Sequence, residues 1–467
     1  MKKSLYLHIL LVFLLVTGCS IIKRPQIQNI PALVPAEDAV PGVPERVQFA
    51  DYWIRTAPDP DKVIMTPENI EIFNNENPQN DTYLLDVLSL PLEIDGAAIR
   101  KSLAENARWL LEAGLFVTGD IPLEKAERHR INACMDTSVV PDMITPKFGV
   151  ILRREMGKNW PTTILLMSDP GDNEFDAGVV STIDMGEPVA LLHTSRDGLW
   201  SYVQTYGFTC WIHSDAVAFG DIETVKELTD RTNPVVAIAH RISVYGTPHG
   251  DAAMGAIQMG SYLPVSAAGS DFFEVLVPAR GNNHELVAKR GYIHRSSDVS
   301  FGFLPYTLRN VYRQCFSLYS RRYGWGGMFE ERDCSAFVQD IFRCFGFRLP
   351  RNSSKQALSS NNAFQLEPYD RETRLEMLKS TPGGITLLGI PGHIMIYLGH
   401  ILETPYVIHA PWAWRTPGEN GSDITHRVAR VTVTGLMLGE GSKRGAFIDR
   451  LSTITILGNY SFTDPKQ

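Results

Sequence analysis

Two stretches of the sequence repeat the same order of turn and strand signals, and this repeat limits the fold more than any other feature. Each stretch contains short runs of alternating or β-branched side chains, separated by turns that contain glycine. The runs are residues 186–192, 199–203 and 211–215 in the first stretch and 260–265, 272–276 and 291–298 in the second. Such runs with regularly spaced turns predict small antiparallel barrels. We therefore predict two β-barrels, at about 161–222 and 231–300.

The length and composition place these barrels inside a larger, multidomain protein. A chain of 467 residues is too long for one hydrophobic core. Its hydrophobic content of 44% and charged content of 21% are typical of a globular protein and exclude a collagenous or largely disordered one. The net charge is −8 and no run is rich in lysine and arginine. Nucleic acid is therefore not expected as a principal partner, because phosphate binding needs a basic face.

The first 19 residues have the layout of a secretory signal peptide. Lys2 and Lys3 precede a mostly apolar run at 5–16, which is too short for a comfortable membrane span. The tetrapeptide Val16-Thr17-Gly18-Cys19 resembles a bacterial lipobox, which implies cleavage before Cys19 and lipidation of its thiol. An ordinary secretory signal with an incidental cysteine is the alternative.

A proline-rich segment follows the signal peptide. Residues 20–48 contain several prolines and small side chains, which predicts an extended tether between a lipid and a folded body. Ser20 at the position after the cysteine resembles lipoproteins that are passed on to an outer membrane. We therefore expect a chain in a bacterial cell envelope, held at the periplasmic face of the outer membrane by its N-terminal lipid only.

Residues 49–160 carry no chemical motif. Their best periodic segment is 97–113, where apolar side chains recur at helical spacing among good helix formers. We predict a mainly helical N-terminal stabilising domain.

Cys334 is the cysteine whose surroundings in the sequence most favour a reactive thiol. Six cysteines are present, and with Cys19 assigned to a lipid an odd number remains, so at least one thiol stays free in an oxidising compartment. Asp333 is a good N-cap residue, and the apolar stripe that follows Cys334 predicts a helix that ends at Gly346. A thiol in the first turn of a helix is expected to ionise more easily. The alternative is an inert, buried cysteine.

Two histidines downstream are the candidates for a base and its orienting partner. His393 opens the run 393–398 and His409 closes the run 406–410. A hairpin centred on Ile401 would place the two histidines opposite each other, about 5 Å apart at Cβ. His400 would then lie in the exposed turn. No metal-ligand spacing or phosphate-binding glycine loop appears, so neither a metal nor another cofactor is predicted.

Several motifs together resemble a known family, the NlpC/p60 cysteine peptidases of the cell wall. The motifs are Tyr323-Gly324-Trp325-Gly326-Gly327, Asp333-Cys334-Ser335, Arg351-Asn352-Ser353-Ser354-Lys355-Gln356, Gly392-His393-Ile394-Met395-Ile396-Tyr397-Leu398-Gly399 and Val407-Ile408-His409-Ala410. The 161–222 stretch is similar to a bacterial SH3 domain, with Cys210 where glycine is usual. Two further departures are Ala336 in place of glycine and Gly383-Gly384 in place of a Gly-Asp motif.

The resemblance implies an α+β multidomain protein with a papain-like catalytic domain at 301–467. The order of its parts is similar to that of the subgroup that cleaves γ-D-glutamyl-diamino acid bonds in murein stem peptides. It implies Cys334 as nucleophile, His393 as acid and base, and His409 as the residue that orients His393. It also implies that Tyr323, Trp325, Asp333 and Ser335 line the substrate side and receive the free amino group of an N-terminal L-alanine.

Two other functions are compatible with the same motifs. One is a wall-binding lipoprotein in which the barrels bind murein and the catalytic domain is inactive. The other is an amidase or acyltransferase that uses the same fold and nucleophile on another substrate. For the peptidase the expected partner is murein stem peptides or muropeptides, and no oligomeric state is predicted.

Overall fold

The computed structural model describes residues 40–77, 79 and 84–460. The predicted signal peptide, the lipidation site Cys19 and most of the predicted tether lie outside the described residues. In the part of the chain that the structure describes, no helix has both the length and the apolar character to cross a membrane.

The N-terminal part is mostly helical, with two pairs of very short antiparallel strands. Its elements are α1 (Ala50–Thr56), α2 (Pro67–Asn75), β1 (Ile94–Asp95), α3 (Gly96–Glu112), β2 (Phe116–Val117), β3 (Ile121–Pro122), α4 (Lys125–Cys134) and β4 (Met143–Ile144). The predicted helix at 97–113 corresponds to α3, which begins where the Asp95 carboxylate accepts a hydrogen bond from the Ala97 backbone N–H at 2.8 Å. Its Leu103 and Leu110 side chains are fully buried.

The side chains of this N-terminal part, which the sequence predicts as one stabilising domain at 49–160, pack in two separate cores. Trp53 of α1 packs in the core of the C-terminal domain, and its indole N–H donates to the Val47 carbonyl at 2.8 Å. Leu103 and Leu110 of α3 instead pack against Trp160 in a separate core that includes side chains of the first β-barrel. The two halves of the segment therefore stabilise different parts of the molecule.

The first β-module is a seven-stranded antiparallel sheet in the order β11-β5-β8-β9-β10-β6-β7. Its strands are β5 (Lys147–Ile151), β6 (Glu155–Lys158), β7 (Val179–Ile183), β8 (Pro188–Thr194), β9 (Trp200–Gln204), β10 (Thr209–His213) and β11 (Val217–Phe219). The sheet begins at Lys147, before the predicted boundary at 161. Cys210, in place of the usual glycine, is accommodated because its neighbour is Gly157, where an added Cβ would lie 2.6 Å from the Cys210 sulfur.

The second β-module follows α5 (Ile222–Leu228) and is also a seven-stranded sheet, in the order β14-β13-β17-β16-β15-β12-β18. Its strands are β12 (Pro234–Ala237), β13 (Arg241–Tyr245), β14 (Ala253–Gln258), β15 (Tyr262–Ala268), β16 (Phe272–Arg280), β17 (Leu286–His294) and β18 (Val299–Phe301). Its core is separate from that of the first module and includes Val244, Val275 and Ile293.

The C-terminal domain packs helices against a six-stranded sheet in the order β19-β26-β20-β21-β22-β25. Its elements are α6 (Leu308–Ser317), α7 (Cys334–Arg343), α8 (Ser353–Gln356), β19 (Ala363–Gln365), α9 (Arg371–Lys379), β20 (Thr386–Ile390), β21 (His393–Ile401), β22 (Thr404–His409), β23 (Ala413–Pro417), β24 (Asp423–Arg427), β25 (Thr432–Gly435), α10 (Phe447–Arg450) and β26 (Thr453–Ile456). Strands β23 and β24 form a separate hairpin. The domain confirms the α+β class.

Buried charges join the modules around the C-terminal end of α7. Arg343 of α7 pairs with Glu187 of the first module at 2.8 Å, and Asp184 of that module accepts a hydrogen bond from Ser261 of the second at 3.0 Å. Arg332, which is 2% exposed, donates to the Asp340 carboxylate at 2.7 Å. Because unpaired charges are costly in a protein interior, these pairs favour one arrangement of the modules around α7.

Candidate active site

Cys334 is the first residue of α7, which packs against β21. The Asp333 carboxylate accepts a hydrogen bond from the Ala336 backbone N–H at 2.9 Å, as an N-cap residue does. The predicted helix and its cap are confirmed. Cys334 itself is only 7% exposed, and its sulfur faces the backbone N–H of Ile394.

The predicted ionisation of the Cys334 thiol is wrong for the resting structure. Burial raises the pKa of Cys334 to about 12, and the neighbouring Asp333 carboxylate acts in the same direction. The Ile394 backbone N–H and the Arg351 guanidinium favour the thiolate, but they do not offset the desolvation. The thiol therefore keeps its proton at neutral pH, and a reaction in which this sulfur is the nucleophile would need a base to remove that proton.

The two predicted histidines lie side by side and extend into a chain of three polar groups. His393 Nε2 and His409 Nδ1 are 2.7 Å apart, and His409 Nε2 lies 3.0 Å from the Thr434 hydroxyl. His409 and Thr434 are both fully buried. Since Nε2 of His393 is engaged with His409, the nitrogen left for proton transfer is Nδ1 of His393.

The hairpin that carries the histidines has a different register from the predicted one. Its turn is the two residues between the paired Ile401 and Thr404, and the pairing shifts between Tyr397 and Gly399. Beyond this irregularity Ile396 pairs with Ile408, so that the next step along the strands places His409 opposite Met395. His393 is thus a diagonal neighbour of His409 on the same face, which still allows contact. His400 lies in β21, half-buried, and not in the turn.

The histidine pair is neutral at physiological pH. Burial lowers the pKa of His393 to about 4, and the positive charges of Arg450 and Arg444 add to this effect. Burial also lowers the pKa of His409, and so does the charge that His393 would carry. If His409 donates its Nε2 proton to Thr434, its Nδ1 accepts from His393, and Nδ1 of His393 then carries a lone pair. This tautomer is the one that can act as a base.

Asp333 has a second role as the partner of a buried arginine. Arg351 donates to both carboxylate oxygens, with distances of 3.0 Å and 2.6 Å, and it also donates to the hydroxyl of Ser335 at 2.6 Å. The backbone N–H groups of Gly326 and Ala336 and the Ser335 hydroxyl complete the bonds to the carboxylate. Burial would raise the pKa of Asp333, but Arg351 outweighs it and holds this pKa below the ordinary value.

Comparison with known families agrees with this geometry. Residues 320–417 match the model of the NlpC/P60 family, and residues 166–213 match the model of an SH3 domain of the SH3b1 type. We call the C-terminal domain, which contains this region similar to the NlpC/P60 family, the NlpC/P60 domain. Proteins of this family are cysteine endopeptidases and are generally cell-wall peptidoglycan hydrolases.

One solved structure that matches the chain shows the same fold over most of its length. An NlpC/P60 endopeptidase from Photobacterium damselae subsp. piscicida is 19% identical, with a TM-score of 0.74 over 88% of this chain and 96% of its own. An NlpC/P60 family protein from Bacillus cereus is 14% identical, with a TM-score of 0.46 over 66% of this chain and 98% of its own. No curated protein sequence matches the chain significantly.

The NlpC/P60 domain and the first β-module meet at an aromatic wall. Phe175 of the first module packs on Trp325 with a ring-centroid distance of 5.2 Å and on Trp412 at 4.7 Å, and Tyr323 lies 5.7 Å from Trp412. Trp325 is 39% exposed, whereas Tyr323 is buried. Glu174, next to Phe175, forms ion pairs with Arg322 and Arg427 and holds the loop in place.

Sequence patterns did not find Phe175, Trp412 or Thr434. Phe175 belongs to a loop of another module, and the hydrogen bond of Thr434 depends on the pairing of β22 with β25. Arg351 lies in a motif recognised in the sequence, but its bonds to Asp333 were not predicted. These contacts join residues that are distant in the sequence, so no local spacing signals them.

The departures from the family pattern do not disturb the candidate catalytic groups. Ala336 is half-buried inside α7, where alanine favours a helix. Gly383 lies so close to β21 that an added Cβ would be 2.3 Å from the Leu398 carbonyl oxygen. The chain therefore passes close behind the strand that begins with His393.

The pKa of His393 predicts an unusually acidic limb in the pH profile. Because the lowered pKa keeps His393 in its base form above about pH 4, kcat/KM should fall only when the pH drops through about 4. We expect an almost level profile from about pH 6 to 8. The measurement is kcat/KM on a defined wall peptide, taken from about pH 4 to pH 8. An acid limb near the ordinary histidine pKa would contradict the buried environment of His393.

Replacing Thr434 by valine tests the role of the hydroxyl as a positioning group. Valine keeps the shape but removes the bond to His409, so kcat should fall about 5- to 10-fold with little change in KM. Thr434→Ser, which keeps the hydroxyl, should retain most of the activity. Equal losses in both variants would show that only packing at this position matters.

Proposed function

We propose that the NlpC/P60 domain hydrolyses the bond between the γ-carboxyl group of D-glutamate and the diamino acid that follows it in murein stem peptides. Two observations carry this proposal. The buried thiol at the start of α7 faces the backbone N–H of Ile394, and the preceding residue, His393, begins the His393–His409–Thr434 chain. Cys334, His393 and His409 act as nucleophile, acid-base group and orienting group. The similarity to the NlpC/P60 family supports peptidoglycan as the general substrate. The resemblance to the subgroup supports cleavage of this specific bond.

The reaction proceeds by acyl transfer. As the Cys334 sulfur attacks the γ-carbonyl carbon, its proton moves to Nδ1 of His393, and backbone N–H groups at the start of α7 stabilise the oxyanion. The C–N bond breaks, His393 gives its proton to the leaving amine, and a thioester remains on Cys334. His393 then takes a proton from water, the hydroxide attacks the thioester, and the thiol and the free γ-carboxylic acid are released.

We further propose that Tyr323, Trp325, Asp333 and Ser335 face the amino-terminal end of the substrate, which carries a free L-alanine. The aromatic wall supports this because it includes Tyr323 and Trp325, and the backbone N–H of the next residue, Gly326, donates to the Asp333 carboxylate. An ammonium group that approaches Asp333 would have to replace one of the hydrogen bonds from Arg351, since five donors already fill this carboxylate.

The amino-terminal requirement is tested with two peptides that differ in one group. L-Ala-γ-D-Glu-diaminopimelate and its N-acetylated form are incubated with the protein, and the products are identified by mass. We expect cleavage at the γ-D-glutamyl bond, with a much higher kcat/KM for the free amine. Equal rates on both peptides would contradict the amino-terminal requirement but not the reaction.

We propose in addition that the mature chain begins with lipidated Cys19 and lies at the periplasmic face of the outer membrane. The lipobox-like tetrapeptide at 16–19 supports this. Expression of the full chain and of Cys19→Ala, followed by membrane fractionation, tests it. The variant should leave the membrane fraction, and its retention there would contradict lipid anchoring.

A further inference from the structure

The side of the site next to the histidines carries positive charges that the proposed mechanism does not use. Arg450 ends α10, and its guanidinium carbon lies 5.8 Å from the ring centroid of Phe447. The Phe447 ring in turn meets the His409 ring edge to face at 5.6 Å. Arg450 is therefore placed beside the histidine pair through one intervening aromatic ring. It is half-buried, while Arg444 in the preceding loop is exposed.

The acidic side chains of this region are engaged elsewhere. Glu440 and Asp449 both pair with Arg371 of α9, at 2.7 Å and 3.3 Å. Asp423 of β24 accepts hydrogen bonds from the backbone N–H groups of residues 443 and 444, at 2.7 Å and 3.2 Å. These carboxylates, which lie near Arg444 and Arg450, are thus already bound to other groups.

Within residues 84–460, the side chains of Arg444 and Arg450 form no ion pair and no hydrogen bond with any group that the structure describes. Burial lowers the pKa of Arg450, and the positive charges of Arg444 and Arg415 lower it further, because each of them disfavours the charge on Arg450. Arg415 lies 3.9 Å from Asp423, so one of the three has a counter-charge. An anion between Arg444 and Arg450 would relieve this repulsion.

The two sides of the site therefore differ in charge. Next to Cys334, Arg351 is neutralised by Asp333 in a close ion pair. Next to His393, the positive charges of Arg450 and Arg444 have no such partner. Burial is the main reason for the lowered pKa of His393, and these two charges lower it further, against the opposite effect of Asp333. In the proposed reaction His393 gives its proton to the leaving amine, which brings the leaving diamino acid next to His393 and within range of this basic side.

We infer that Arg450 and Arg444 form a subsite for the side-chain carboxylate of the leaving diamino acid. The enzyme would then select a diamino dicarboxylic acid such as diaminopimelate over lysine, which has the same reacting amine but no second carboxylate. Arginine suits this task because its planar guanidinium can bind a carboxylate through two parallel hydrogen bonds. This inference rests on the proposed function, since it assigns the specificity of the same reaction.

The experiment compares two substrates that differ only in this charge. One is L-Ala-γ-D-Glu-meso-diaminopimelate, and the other is the same peptide with the side-chain carboxyl group amidated. The unmodified enzyme should show a kcat/KM about 10- to 100-fold higher for the free carboxylate, as expected for a hydrogen bond between charged groups. Arg450→Gln together with Arg444→Gln should bring this ratio close to one, and Arg450→Lys alone should keep part of it.

Lys443→Gln is the matched control, because it removes one positive charge from the same exposed loop without touching the subsite. It should keep the selectivity of the unmodified enzyme, which excludes a general effect of net charge. The thermal midpoint of each variant is measured as well, and Arg444→Gln alone, at an exposed position, provides a variant that should fold normally.

The possible failures can be told apart. If the unmodified enzyme cleaves neither peptide, the proposed function is wrong and the subsite falls with it. If it cleaves both peptides at the same rate, or if the Arg450→Gln, Arg444→Gln variant keeps the full selectivity, the reaction stands and the subsite is contradicted. A loss of selectivity in Lys443→Gln that equals the loss in the arginine variant would also contradict a specific subsite.

Discussion

Replacing Cys334 by alanine should lower the rate of γ-D-glutamyl bond cleavage by at least about 10⁴-fold. The proposed reaction passes through a thioester on this sulfur, and no other cysteine of the NlpC/P60 domain can replace it. Cys315 and Cys344 are fully buried, and burial raises the pKa of each thiol. The measurement is the steady-state rate on L-Ala-γ-D-Glu-diaminopimelate, together with circular dichroism to show that the variant is folded.

Cys134→Ala is the control for the loss of a thiol. Cys134 ends α4, far along the chain from the site, and its sulfur donates to the Asp197 carboxylate at 3.4 Å. This variant should turn over the peptide at the rate of the unmodified protein. Turnover by Cys334→Ala within about tenfold of the unmodified rate would show that another group performs the attack and would contradict Cys334 as the nucleophile.

The second large effect is expected on stability. Arg351→Met keeps much of the side-chain length but leaves the Asp333 carboxylate buried without its counter-charge. The side chains of this pair are 13% and 8% exposed, and the distance between them is 2.6 Å. Breaking such a pair should lower the free energy of unfolding by about 3–5 kcal/mol. The measurement is the urea midpoint of the NlpC/P60 domain, monitored by its tryptophan fluorescence.

Two variants show whether the effect comes from the buried charge. Arg55→Met removes a cation from an ion pair whose side chains are 81% and 80% exposed, and it should change the stability by less than about 1 kcal/mol. Arg351→Met combined with Asp333→Asn should be more stable than Arg351→Met alone, because the unpaired charge is gone. Asp333→Asn is therefore also measured alone. If the double variant loses as much stability as Arg351→Met and Asp333→Asn lose when their separate effects are added, the two side chains are not coupled.

Local sequence rules predicted the helix that begins with Cys334. The stripe of apolar residues after Cys334 and the N-cap at Asp333 both depend on neighbours within a few residues, and α7 begins where they indicate. The same local rule failed for the ionisation of the thiol. A helix start favours a thiolate only where water still reaches the sulfur, and the burial of Cys334 depends on the packing of α7 against β21.

The hairpin shows a similar limit. Alternating apolar residues predicted both β21 and β22, but the register depends on the length of the turn and on the irregularity near residue 398, which the pattern does not encode. His393 and His409 still meet, because diagonal neighbours on one face of a sheet are within reach. The division of the N-terminal segment between two cores and the pairing of Asp333 with Arg351 depend on contacts far apart in sequence, and no local pattern predicts them.

Product analysis by mass spectrometry tests the central claim most directly. A defined L-Ala-γ-D-Glu-diaminopimelate-D-Ala peptide is incubated with the unmodified protein and, in parallel, with Cys334→Ala. We expect L-Ala-γ-D-Glu and diaminopimelate-D-Ala to appear in equal amounts with the unmodified protein and to be absent with the variant. Cleavage at another bond, or the same products from Cys334→Ala, would contradict a γ-D-glutamyl peptidase that uses Cys334.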